Sequence, residues 1–361
     1  MLYILFVIVC SFAMCSLFLK NRKRIVGVLL LFMFIVYVLS FIRWETGTDW
    51  DSYYEIFQNA KSIKGEFYVE PTFFLINYIC HSVSDSYTFL LFVLATIIFF
   101  CTFNSFKNLS YPLIAYLIYF STTFGDIMFV RQSISIAIVL YSFKYIFKKQ
   151  KKKFIICSII ASCFHVSTIA VFPLYYIYHK NLKWKKVFFI FIVIFIISLY
   201  LSTNRTGVIN LPFGLNNNYL VNRINTYILL SQRGYDSYLT LSPIQAITNH
   251  LIKRSILFIL IFVYSSSKII KDKYFSGCLR IYIYSSCLYL FFAPISLDLT
   301  RMTAAIEIVD ILLFTKLLAQ VRRTSNKIII FLVILMFSCL KFSSNISRFP
   351  EIYSNYKTIL S

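Results

Sequence analysis

Residues 22–45 read Arg22-Lys23-Arg24-Ile25-Val26-Gly27-Val28-Leu29-Leu30-Leu31-Phe32-Met33-Phe34-Ile35-Val36-Tyr37-Val38-Leu39-Ser40-Phe41-Ile42-Arg43-Trp44-Glu45. Three cations precede an uncharged apolar run over 25–42, which ends in a polar exit. Such a run approaches the roughly 20 residues a helix needs to cross a bilayer. Its basic flank fixes the direction, because short Lys/Arg-rich loops stay on the cytoplasmic side. The run therefore leaves the membrane at Arg43-Trp44-Glu45-Thr46-Gly47-Thr48-Asp49-Trp50-Asp51-Ser52-Tyr53-Tyr54-Glu55. Of the 14 Asp and Glu in the chain, six (Glu45, Asp49, Asp51, Glu55, Glu66 and Glu70) fall between positions 43 and 70. Acids so concentrated at one exit mark a working surface opposite the basic loops.

The rest of the chain repeats the apolar pattern. It has 361 residues, 59% of them hydrophobic, 19% aromatic and only 14% charged. A soluble domain of that length carries more charge and fewer aromatic residues. Further spans are read at 2–19, 87–103 and 187–201. The expected fold is all-α: a polytopic integral membrane protein, one polytopic domain over 1–361, with about 10–12 transmembrane helices. No cleavage pattern follows 2–19, which reads as a retained first span.

The net charge of +22 raises nucleic acid as a partner, but its placement excludes it. The cations cluster between spans, at 20–24, 148–153, 180–186, 268–273 and 322–327, where they fix topology. The nine cysteines lie in or beside apolar segments with no metal-type spacing, so they read as small hydrophobes. No metal and no cofactor is expected.

Setting the five clusters inside constrains everything else. External loops follow at 43–70 and 202–242. The segment 72–83, interrupted by Asn77 and His81, reads as an amphipathic interfacial helix. Three crossings then follow, ending in 127–147, with Arg131 near the outer surface. Residues 154–178 lie between two inside clusters with legs too short to span, which predicts a re-entrant hairpin turning near His165. Lys253-Arg254 is expected at the outer interface, after an amphipathic 243–252. A returning span over 300–318 carries Arg301 near its outer end, with Glu307 and Asp310 three apart on one face. The count is about ten crossings plus the hairpin, with both termini external and no internal repeat.

Four external or near-external groups converge by this topology: Arg43 with Asp49, Arg131 with Gln132, His165, and Arg301. Charge at the membrane rim is costly and needs a partner or a task. The planar guanidinium fork matches phosphate oxygens, so rim arginines suit the diphosphate of a lipid carrier or, alternatively, outer-leaflet headgroups. Asp49 suits a base, a sugar-hydroxyl acceptor, or an acid holding the turn at Gly47. His165 is a base, a phosphate contact or a structural donor. His81, His179 and His250 read as structural. Trp44 and Trp50 present surfaces on which sugar rings stack.

The ordered set Arg43…Gly47-Thr48-Asp49…Tyr53, Glu70-Pro71, Phe129-Val130-Arg131-Gln132-Ser133-Ile134…Ala137, Ala161-Ser162-Cys163-Phe164-His165-Val166-Ser167 and Thr300-Arg301-Met302 resembles the EpsG family of Wzy-like polymerases. The departures are Trp50, where the family often has another aromatic, and Ser133 after Arg131-Gln132. The resemblance implies an integral-membrane glycosyltransferase-like architecture with one large external loop. It further implies polymerisation of lipid-linked oligosaccharide repeat units on the outer face of the bacterial cytoplasmic membrane. The growing glycan would leave undecaprenyl diphosphate for the acceptor sugar of a new unit, with no nucleotide sugar.

On that reading Arg131 and Arg301, with Arg43, neutralise the donor diphosphate. His165 or Asp49 accepts the acceptor hydroxyl's proton. Gly47, Trp50, Tyr53 and Gln132 line the substrate site, and Arg205, Arg223 and Arg233 in the large loop select substrate. Membrane lipid and a chain-length regulator are the implied partners. An O-antigen ligase and a flippase of the same lipid-linked unit are the competing readings.

Overall fold

The computed structural model spans the chain and describes residues 1–19, 21–47, 49–60, 70–124, 130–180, 183–203, 242–264, 271–347, 350 and 356–360. In chain order the elements are α1 (Leu2–Cys15), α2 (Arg22–Ile42), β1 (Arg43–Trp44), α3 (Trp50–Asn59), α4 (Pro71–Val83), α5 (Tyr87–Phe106), α6 (Pro112–Thr123), α7 (Arg131–Phe147) and α8 (Lys151–Phe164). There follow a 3-10 turn (Val166–Val171), α9 (Leu174–His179), α10 (Trp184–Thr203), α11 (Pro243–Tyr264) and α12 (Lys273–Phe292). A second 3-10 turn (Asp298–Thr303) leads to α13 (Ala304–Glu307), α14 (Val309–Gln320), α15 (Thr324–Ile346) and β2 (Lys357–Thr358).

Among the described residues, α2, α5, α10, α11, α12 and α15 are long and apolar enough to cross a membrane. The protein is thus an all-α, multi-pass membrane protein. Other apolar runs fold as shorter helices, among them α1 and α6. At about 1.5 Å per residue, the 14 residues of α1 and the 12 of α6 fall short of a bilayer core.

The contacts divide the chain into two units, Met1–Phe172 with Asp310–Ser361, and Pro173–Val309. In the first, α7 packs on α8 and α5, α5 on α2, and α6 on α1 and α15. The short α3 and α4 lie together, and α4 also contacts α8. Local sequence sets the ends. The Asn21 side chain accepts from Arg24 N at 3.2 Å and caps α2. Pro71 and Pro112 occupy first-turn positions, where no backbone N–H is needed. Gly47 has φ 121°, a conformation open to glycine and strained for any other residue, and it turns the chain from β1 toward α3.

The first unit also holds a two-residue antiparallel ladder, with Arg43 opposite Thr358 and Trp44 opposite Lys357. Thr46 Oγ1 donates to Trp44 O at 2.8 Å and accepts from Lys357 N at 3.0 Å. Tyr356 OH donates to Leu39 O. Residues 356–359 are therefore strapped to the end of α2.

In the second unit α12 is central, packing on α9, α10, α11 and the turn Asp298–Thr303. Ala246, Ile247, Leu290, Ala293 and Leu297 form its apolar centre, flanked by Phe191, Ile194 and Phe195. The buried Arg280 donates to Ile177 O at 3.2 Å and Tyr178 O at 2.7 Å, satisfying carbonyls near the end of α9.

Two sequence expectations are corrected here. Residues 243–264 form one continuous helix, so Arg254 is buried mid-helix and is not at an interface. Residues 300–318 are not one span: a 3-10 turn, the four-residue α13 and α14 replace it, and the break at Ile308 separates Glu307 from Asp310. The expected hairpin at 154–178 appears as α8, a 3-10 turn packed back on it, and α9.

Candidate functional site

In the first unit, four element ends bring four side chains together. Tyr53 comes from the first turn of α3, Glu70 from the residue capping α4, and Arg131 from the first residue of α7. His165 comes from the break after α8, where the backbone is extended at φ −152° and ψ 111°. Breaks are where a chain can turn a polar side chain out of an apolar bundle. The surrounding helices hold it there.

The Arg131 guanidinium anchors the cluster. Its Nη1 donates to Glu70 Oε2, and its Nε donates to Tyr53 OH at 3.1 Å. Its carbon lies 5.1 Å from the Tyr53 ring centre and 5.7 Å from that of Phe73, within range of cation–π attraction. A cation at a helix N-terminus opposes the helix dipole, and Glu70 offsets that cost. Two of the five guanidinium donors are engaged by these bonds, which leaves the Nη2 end for a further anion. The Arg131 side chain keeps 19% of its exposure, against 7% for Glu70.

Glu70 lies between Arg131 and His165. While Oε2 holds Arg131, Oε1 lies 3.6 Å from His165 Nδ1, a close approach short of a hydrogen bond. Burial pushes the Glu70 carboxyl up, but His165 and Arg131 outweigh it and hold it down at about 2. Glu70 is therefore anionic at neutral pH. The His165 ring is 22% exposed with Nδ1 buried, so its open side is the one bearing Nε2.

Asp49 stands at the edge of this group. Its side chain is exposed, and Tyr53 OH donates to its Oδ2 at 3.4 Å. The connected order is Asp49, Tyr53, Arg131, Glu70, His165. Gln132 follows Arg131, is half-buried, and gives its carbonyl to Ser135 Oγ at 2.8 Å.

The other site candidates are placed differently. Arg43 is buried in β1 with Tyr53, Tyr87 and Tyr356 around it. Trp50 is also buried, packed edge-on against Tyr87 at 4.8 Å and Trp44 at 5.2 Å. The exposed ring of that aromatic group is Tyr54. Arg301 belongs to the second unit, is 45% exposed, and pairs with Asp298 at 3.2 Å. Arg205, Arg223 and Arg233 lie outside the described residues.

Glu70 is absent from the candidates read from sequence, although its signal was present. It closes the acidic segment 43–70 and precedes a proline, the pattern of a helix start. Also unforeseen is a second cluster, wholly within the second unit. Glu307 Oε1 lies 3.8 Å from both His250 Nδ1 and Arg254 Nη2. Arg254 Nη2 donates to Ser285 Oγ at 2.9 Å, and Thr303 Oγ1 donates to Glu307 Oε1 at 3.2 Å. The i, i+4 spacing of His250 and Arg254 on one helix was its only sequence trace.

The EpsG family model matches residues 26–358, nearly the whole chain and all of the first cluster. No curated protein and no solved structure gives a significant match. Multi-pass helical architecture and a match of that extent lead to one assignment: the chain belongs to the EpsG family of Wzy-like membrane polysaccharide polymerases.

Proposed function

We propose that the protein joins lipid-linked oligosaccharide repeat units on the outer face of a bacterial cytoplasmic membrane. The donor is the growing glycan on undecaprenyl diphosphate, and the acceptor is a sugar hydroxyl of a newly delivered unit. The reading rests on one observation: Arg131, part-exposed with donors to spare, is fixed by Glu70 and Tyr53 beside His165. A guanidinium so held suits the diphosphate leaving group, because preorganised charge stabilises the oxyanion as it develops. The Asp49–Tyr54 segment bounds the same site on the sugar side, where acids repel phosphate but accept from hydroxyls. Arg301 and the loop arginines are reserved for the carrier or for substrate choice.

A complemented deletion strain tests this. Arg131→Ala should lower polymer by at least about 100-fold while leaving single-repeat units on the carrier; normal long-chain polymer would overturn the assignment. The deletion itself separates the alternatives. A polymerase mutant keeps one transferred unit, a ligase mutant retains polymer on the carrier, and a flippase mutant displays none.

A further inference from the structure

We infer that Glu70 is the positioning residue that makes His165, and not Asp49, the proton acceptor of the transfer; this rests on the proposed polymerase reading. Glu70 divides its two oxygens between partners, Oε2 to Arg131 Nη1 and Oε1 toward His165 Nδ1 at 3.6 Å. Its backbone is seated firmly. Pro71 follows it, and its carbonyl accepts from Phe74 N at 3.1 Å in the first turn of α4. His165 is seated equally well, its N–H donating to Ala161 O at 3.0 Å and its carbonyl accepting from Thr168 N at 3.0 Å. Two rigid backbones aim a carboxylate at an imidazole nitrogen, and the gap between them closes when substrate orders the site.

Among the described residues, Glu70 from the start of α4 faces His165, and it also holds Arg131 of α7, which is joined in turn to Tyr53 of α3. A carboxylate facing Nδ1 keeps the ring proton there and leaves the Nε2 lone pair on the open side. Asp49 is held less firmly: among the described residues Tyr53 OH donates to it at 3.4 Å, and it is exposed.

The step balances. The acceptor hydroxyl oxygen forms the new bond to the anomeric carbon, and its proton passes to His165 Nε2. The anomeric carbon–oxygen bond breaks, and its electron pair leaves on the carrier diphosphate, whose added negative charge Arg131 meets. Glu70 keeps its charge throughout, stabilising the imidazolium as it forms. Glu70 thus serves both halves of the reaction without touching either substrate.

The test is a double-mutant cycle in membranes from complemented deletion strains. The probe is the lipid-linked repeat unit extracted from the deletion strain, and the readout is initial polymerisation rate against its concentration. Glu70→Gln should lower kcat by about 100-fold, the scale of general-base catalysis, with KM little changed. Adding Glu70→Gln to His165→Asn should cost much less than the roughly 100-fold it costs in the native protein, because residues acting as one unit are not additive and only the Arg131 contact remains to be lost. Losses that multiply would overturn the inference, as would an unchanged kcat in Glu70→Gln. If Glu70→Gln does not accumulate, Glu70→Asp replaces it, keeping the charge but pulling it back by one methylene, with the same non-additivity required. Arg131→Ala run alongside separates the two ideas. Normal polymer from it sinks the polymerase site itself, whereas an inactive Arg131→Ala with multiplying Glu70 and His165 losses sinks the dyad alone.

Discussion

The two units carry the same three residue types in different settings. In the first, Glu70 bridges Arg131 and His165 where helices begin and end. In the second, Glu307 lies between Arg254 and His250, both on the continuous helix α11. Arg254 and His250 keep only 5% and 7% of their side-chain exposure, against 19% and 22% for Arg131 and His165. Aromatic faces cover the second pair, with Arg254 4.1 Å from the Tyr282 ring centre and His250 stacked on Tyr289 at 3.7 Å. Composition alone does not separate a site from a brace; position relative to helix ends does. Charges at breaks can reach substrate, while charges in mid-helix hold packed helices in one arrangement.

The strongest way to break that contrast is to remove Arg254. A cation with buried hydrogen-bonded partners leaves them uncompensated when truncated, at a cost of about 3–5 kcal/mol. Arg254→Ala should therefore lower thermal stability in detergent and the amount of protein in the membrane. A variant of normal stability that nevertheless makes no polymer would place chemistry in the second unit as well.

Acidity sharpens the comparison next. The Glu70 carboxyl lies below its unfolded value of about 4.3, so its contribution to stability is complete above that pH. It is lost as pH falls toward about 2. The stability difference between the native protein and Glu70→Gln should thus not fade from pH 7 to pH 5 and should shrink below about pH 4. A difference that already fades between pH 7 and pH 6 would mean that Glu70 is not held as an anion.

The smallest effect is expected at Tyr53. Tyr53→Phe removes the hydroxyl that accepts from Arg131 Nε but keeps the ring beneath the guanidinium. One such bond contributes about 1 kcal/mol, or roughly five- to tenfold in polymerisation rate. A loss as large as that of Arg131→Ala would make the hydroxyl a direct participant.

The fold class was legible because apolar runs and basic clusters are local signals. The break at His165 was legible too, since two legs of 154–178 are too short to span. Long-range partners were not. Lys253-Arg254 resembles a membrane boundary in sequence, yet Arg254 is buried by Ser285 and Glu307, which lie on distant segments. Trp50 looked like a sugar platform because aromatic residues beside acids often are, but it packs edge-on between other rings and leaves exposure to Tyr54. Glu307 and Asp310 share a face only if their helix is unbroken, and Ile308 interrupts it. Arg131, His165 and Tyr53 were all named from sequence, and the carboxylate joining the first two is what three dimensions added.

The strap at the rim bears on assembly. Thr46, between the turn at Gly47 and the strand at Arg43, is bound by Lys357 across a separation of 311 residues. Closing so large a loop is slow relative to pairing neighbouring helices. Contact order thus places the fastening of the segment that leads into Asp49 and Tyr53 after the pairing of neighbouring helices. Arg131 and Glu70, 61 residues apart, are under no such delay.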